Sequence, residues 1–150
     1  MLISKTSLTN SLRRTASALC MTSFGMLAIS QASWADVVVI VHPSNTATID
    51  DDAISKLFLG QLKTFPGGAA ATPVDQKNAE TSGEFHTKVL NTSSKEVRKI
   101  WARQVFTGGL RPPAALDSDE AVVQFVSTTP DAIGYVQAAK VTNKVKVIRK

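Results

Sequence analysis

The stretch Asp75-Gln76-Lys77-Asn78-Ala79-Glu80-Thr81-Ser82-Gly83 holds the side chains in this sequence best suited to gripping a ligand. An apolar run precedes it and an amphipathic run follows, so it reads as the passage from a strand into a helix. Such a passage presents backbone N–H groups and the positive end of a helix dipole, which together attract anions. The hydroxyls of Thr81 and Ser82 add donors, Gly83 admits close approach to the backbone, and Lys77 supplies a charge. These four residues are the candidate ligand contacts. Helix capping accounts for the same pattern, because Thr81-Ser82-Gly83-Glu84 has the spacing of a capping box.

Other chemistries find little support. The two histidines, His42 and His86, stand far apart with no metal-ligand spacing around either, and His86 falls inside a predicted helix as a surface or partly buried residue. Asp50-Asp51-Asp52 lacks the glycine and distal glutamate of a calcium loop and reads as the acidic start of a helix. Neither a Gly-x-Ser-x-Gly elbow nor a Gly-x-x-x-x-Gly-Lys phosphate loop is present. No nucleophile has an evident activator, so the sequence is read as a non-enzyme without a cofactor or metal.

The first 35 residues read as an export signal. Lys5, Arg13 and Arg14 make a positive start, Ala16 to Ser30 carries no charge, and Ser33-Trp34-Ala35 has small residues at the −3 and −1 positions of a cleavage site. Cleavage is expected after Ala35, leaving one domain over 36–150 and a periplasmic location. An uncleaved anchor is the alternative, but the Ser and Thr residues of this stretch make a poor membrane span. Cys20 follows Leu19, with Arg14 close upstream, which does not fit a lipoprotein signal. It is the only cysteine, so residues 36–150 have neither disulfides nor thiol chemistry. The whole chain carries 17 Lys and Arg against 12 Asp and Glu. Three of those bases and none of the acids lie before Asp36, leaving 14 bases and 12 acids after it. That near balance argues against nucleic acid as a partner, which requires a concentrated basic face.

The elements that must position the candidate contacts alternate between strand and helix. Val37 to Val41 is a β-branched run of buried-strand length. Ile54, Leu57 and Phe58 recur at helical spacing, ended by Gly60. Ala71 to Val74 reads as a strand, and Phe85, Val89 and Leu90 as the inner face of the helix after the candidate site. Ser93-Ser94-Lys95-Glu96 opens a longer helix with Val97, Ile100, Trp101 and Val105 inward, stopped by Gly108-Gly109. Ser118 leads a helix with Val122, Val123 and Val126 inward, and Ile133 to Val136 and Val145 to Ile148 are further strands. This alternation predicts an α/β fold with a mostly parallel sheet flanked by helices.

These segments resemble the phosphate-binding protein of bacterial phosphate ABC transporters, within the periplasmic substrate-binding protein superfamily. Leu57-Phe58-Leu59-Gly60 and Ala132-Ile133-Gly134-Tyr135-Val136 are the most specific parts. Val37 to Val41, Pro73-Val74, Phe85 to Leu90, Trp101 and Phe106-Thr107-Gly108 support them in order and spacing. The resemblance implies a single periplasmic-binding-protein-like (PBP-like) lobe, a periplasmic solute-binding role, and phosphate or a similar oxyanion as ligand. It implies as partner an ABC permease or another periplasmic or membrane protein. There are two departures. Full-length members clamp ligand between two lobes, and phosphate binders carry Arg near the end of the second strand, where this sequence has Asp75. The alternative is a single-lobe accessory or sensory module that works through a protein partner without high-affinity ligand binding, which an exposed apolar strip would favour.

Overall fold

The computed structural model describes residues 36–150; the expected export signal, residues 1–35, lies outside the described residues. Val37–Val41 forms strand β1, buried at every position. Helix α1 (Asp51–Phe58) follows, with the Asp50 side chain accepting from Ala53 N at 2.8 Å as its N-cap. Strand β2 (Thr72–Gln76) leads into helices α2 (Ala79–Lys88) and α3 (Ser94–Gly108). A short strand β3 (Ala114–Leu116), helix α4 (Asp119–Thr128), strand β4 (Ala132–Gln137) and strand β5 (Lys146–Arg149) complete the domain. Ser93 and Ser118 cap α3 and α4, and Gly109 ends α3 in the left-handed conformation, as the spacing predicts.

The five strands lie in the order β3-β2-β4-β1-β5. β3 and β4 pair with β2 in parallel, whereas β1 pairs antiparallel with both β4 and β5. The α/β class is as expected, but the sheet is mixed: β1 alone runs against the other four strands. Strand–helix alternation dictates the parallel crossovers from β2 through α2 and α3 to β3, and from β3 through α4 to β4. It carries no information on where the first strand inserts. β3 escapes sequence detection because its Ala-Ala-Leu lacks β-branched residues and sits on an exposed edge.

Alternate residues of the central strands feed two cores. Val37, Val39, Val41, Ile133 and Tyr135 face α1 and α2, where Phe85 stacks on Tyr135 at 3.9 Å and Phe58 meets Phe85 edge-on. Val38, Ile40, Val74 and Val136 face Val122, Val123 and Val126 of α4. Burial on both faces explains the unbroken apolar run of β1. Gly134 permits the second packing, since a Cβ there would stand 2.7 Å from Val122 Cγ1 and 3.0 Å from Val74 Cγ2.

Helix α3 departs from the expected inward face. Val97 is buried, Trp101 is half-buried, and Val105 is exposed. The Trp101 indole lies over Gly60 and donates from Nε1 to the Phe58 carbonyl at 3.1 Å. The end of α1 is thus fastened to α3, and Gly60, at φ 71°, is the close approach that makes this possible.

Candidate functional site

The expected anion site shifts once the helix is located. α2 begins at Ala79, and the Asn78 side chain accepts from Glu80 N and Thr81 N as its N-cap. The capping box expected at Thr81 is therefore not the start of the helix. Ser82 N donates to the Asn78 carbonyl at 2.9 Å, so its amide is committed to the helix. Thr81 is fully buried, and its hydroxyl accepts from Gln137 Nε2 at 3.2 Å. Gly83 sits within the helix, its carbonyl accepting from the Thr87 hydroxyl. Lys77 reaches Asp117 at 2.6 Å in an exposed ion pair. Asn78 outcompetes Thr81 as the cap because an Asn side chain in extended backbone satisfies two free amides at once.

Ser82 nevertheless lines a groove of about 730 Å³ between α2 and α3, at the carboxyl end of β2. Asp75 and His86 line it from β2 and α2, and Ser94, Arg98, Trp101 and Phe106 from α3. Asp75 accepts hydrogen bonds from the Tyr135 hydroxyl and from Gln76 N. Burial raises the Tyr135 hydroxyl far above its ordinary pKa, reinforced by the Asp75 charge, so it remains a donor. His86 is buried and hydrogen-bonds through Nδ1 to Ser94 Oγ at 2.8 Å. Burial lowers the His86 pKa, the nearby Asp75 opposes that shift, and Arg98 adds to it. Burial thus favours the neutral imidazole, and an exposed guanidinium stands beside it.

Ser94, His86 and Asp75 are the residue types of a nucleophile, a base and an orienting acid, but they are not wired as a relay. Asp75 is engaged by Tyr135 and Gln76, and no hydrogen bond joins it to His86. What the groove does offer is a cation, Arg98, without an ion-pair partner among the described residues, and the nearby hydroxyls of Ser82 and Ser94. In the sequence Ser94 reads as part of the box that opens the helix, and Arg98 belongs to no motif. Their separation of four residues, which places both on one helix face, was the available signal.

Solved structures place this architecture. A phosphate ABC transporter substrate-binding protein from Clostridium perfringens, with bound phosphate, superposes with a TM-score of 0.57 at 14% identity over 75% of this chain and 43% of its own. A phosphate transport receptor from Vibrio cholerae gives 0.57 at 14% over 75% and 44%. PstS from Borrelia burgdorferi gives 0.57 at 16% over 75% and 46%. At these identities the likeness is one of fold, and the matched region spans less than half of each neighbour. No protein-family model and no curated protein matches the sequence. Among the described residues, no helix is long and apolar enough to cross a membrane.

Proposed function

We propose that the protein is an exported solute-binding lobe that offers its α2–α3 groove to phosphate or a similar oxyanion. The observation that carries this reading is the gathering of Arg98, Ser82 and Ser94 in one groove at the carboxyl end of a parallel strand. Ligands of open α/β sheets collect at that end of the strands. The fold shared with phosphate receptors supports the ligand class. Lys77 adds attraction from the start of α2, since its exposed pairing with Asp117 is weak. Thr81 and Gly83 act indirectly, as the helix turn that carries Ser82.

Asp75 sets a condition on the ligand. A carboxylate lining the groove repels a fully deprotonated anion and accepts a hydrogen bond from a protonated one, so hydrogenphosphate suits the site better than sulfate. The contacts come from one side only. A hydrogen bond to a charged group contributes about 1.5–3 kcal/mol, and two or three of them, less the cost of capture, correspond to roughly millimolar affinity. Calorimetry with phosphate and sulfate tests the reading. Weak phosphate binding that Arg98→Ala abolishes supports it, and equal heats for the wild type and that variant contradict it.

The same reading places the protein in the periplasm, cleaved after Ala35, with an ABC permease or another periplasmic or membrane protein as partner. Intact-mass measurement of periplasmic extract checks the cleavage: a species beginning at Asp36 is expected, and one retaining residues 1–35 contradicts it.

A second reading, a lobe that works mainly through a protein partner, is favoured by one observation. Phe106, on α3 beside the groove, is 94% exposed. A large aromatic left in water by a folded domain marks an interaction surface when apolar neighbours extend it.

A further inference from the structure

We infer that the α3 end of the fold docks an acidic protein segment bearing a ridge of large apolar side chains. The inference rests on the second reading above and specifies the partner's chemistry. Among the described residues, the exposed large hydrophobics are Leu62, Val105 and Phe106. They are not scattered. Leu62 lines a groove of about 310 Å³, Val105 and Phe106 line the groove of about 730 Å³, and both grooves share Trp101 and Pro112. The three exposed residues therefore belong to one surface, with a concavity on either side of the Trp101 ring.

Charge identifies the occupant. Between positions 94 and 112 the sequence has five bases, Lys95, Arg98, Lys99, Arg103 and Arg111, against Glu96 alone. The rest of 36–150 has nine bases and eleven acids. The near-neutral total thus hides a local excess of bases along α3 and the loop after it. Of these five cations only Lys99 pairs with an acid among the described residues, at 3.3 Å from Glu96. Lys63 and Arg111 line the smaller groove and Arg98 the larger one. An apolar centre rimmed by free cations complements a segment with apolar side chains at its centre and carboxylates at its flanks. A second copy joined through the same face would set these bases against one another. An anionic membrane would satisfy the charges, but it has no protruding side chains to fill the two concavities.

Selection of a random 16-residue peptide display library on the protein, with Phe106→Ser as the counter-selecting variant, tests the inference. Phe106 is so exposed that its loss leaves the fold intact. Enriched peptides should combine Asp or Glu with Leu, Phe or Trp. In anisotropy measurements, affinity for a representative peptide should fall at least ten-fold in Phe106→Ser, several-fold in Arg103→Glu, and steeply with salt. Leu62→Ser, which lines only the smaller groove, should weaken the peptide several-fold while its phosphate calorimetry matches the wild type, which separates this surface from the oxyanion contacts. Absence of Phe106-dependent peptides overturns the inference, as do enriched peptides without acidic residues. So does Phe106-dependent binding to phosphatidylglycerol vesicles in place of peptides, or Phe106-dependent dimerisation of the protein.

Discussion

The Tyr135 hydroxyl donates to the Asp75 carboxylate, tying the central strand β4 to the end of β2 where the groove opens. Tyr135 is buried and stacked on Phe85, so this one side chain joins the aromatic core to the candidate site. Tyr135→Phe keeps the stacking and removes the donor. The variant should lose about 1.5–3 kcal/mol of stability, the usual worth of a hydrogen bond to a charged group. Urea denaturation measures this, and an unchanged midpoint would show the contact to be idle.

The glycines separate into two kinds. Gly60 combines a positive φ with a space in which a Cβ would stand 2.5 Å from both Trp101 and Gln104, so Gly60→Ala should cost about 2–4 kcal/mol through backbone strain and overpacking. Gly83 lies within α2 with nothing near its Cβ position, so Gly83→Ala should stabilise by about 0.5–1 kcal/mol. Opposite shifts in thermal midpoint are the expected result.

Trp101 is half-buried, and its loss should cost less than the roughly 3–5 kcal/mol of a fully buried aromatic. Trp101→Phe keeps much of the packing over Gly60 but removes the hydrogen bond to the Phe58 carbonyl, and it should retain most of the stability lost in Trp101→Ala. Parallel denaturation of the two variants decides whether packing or the hydrogen bond dominates.

His86 makes stability depend on pH. Burial lowers its pKa in the folded protein, so the unfolded chain binds the extra proton first as pH falls below the ordinary histidine value of about 6.5. Its contribution is present above that value and lost as pH falls toward the lowered folded pKa. His86→Gln should flatten the loss of stability on going from neutral to mildly acidic pH. Equal slopes for the two proteins would show that His86 does not titrate on unfolding.

The strength of local signals decided what the sequence made legible. Val37–Val41, the Asp50, Ser93 and Ser118 caps and the Gly109 stop depend on adjacent residues, and all stand where spacing places them. The direction of β1, the strand β3 and the exposure of Val105 depend on residues distant in the chain. The candidate site was half legible. The strand-to-helix passage at Asp75 to Gly83 does border the groove through Asp75 and Ser82, but two cap signals compete there and Asn78 wins. The four-residue spacing of Ser94 and Arg98 puts both on one face of α3, but that this face meets α2 at the groove depends on packing between elements distant in the chain.

Amide-resolved NMR during titration with phosphate tests the central claim most directly. Saturable shifts at Ser82, Ser94 and Arg98 at roughly millimolar phosphate, abolished by Arg98→Ala and smaller with sulfate, are predicted. Amides at the remote bases Lys144 and Lys146 should stay still. Shifts as large at Lys144 and Lys146 as in the groove, or none at all at tens of millimolar phosphate, would contradict the account.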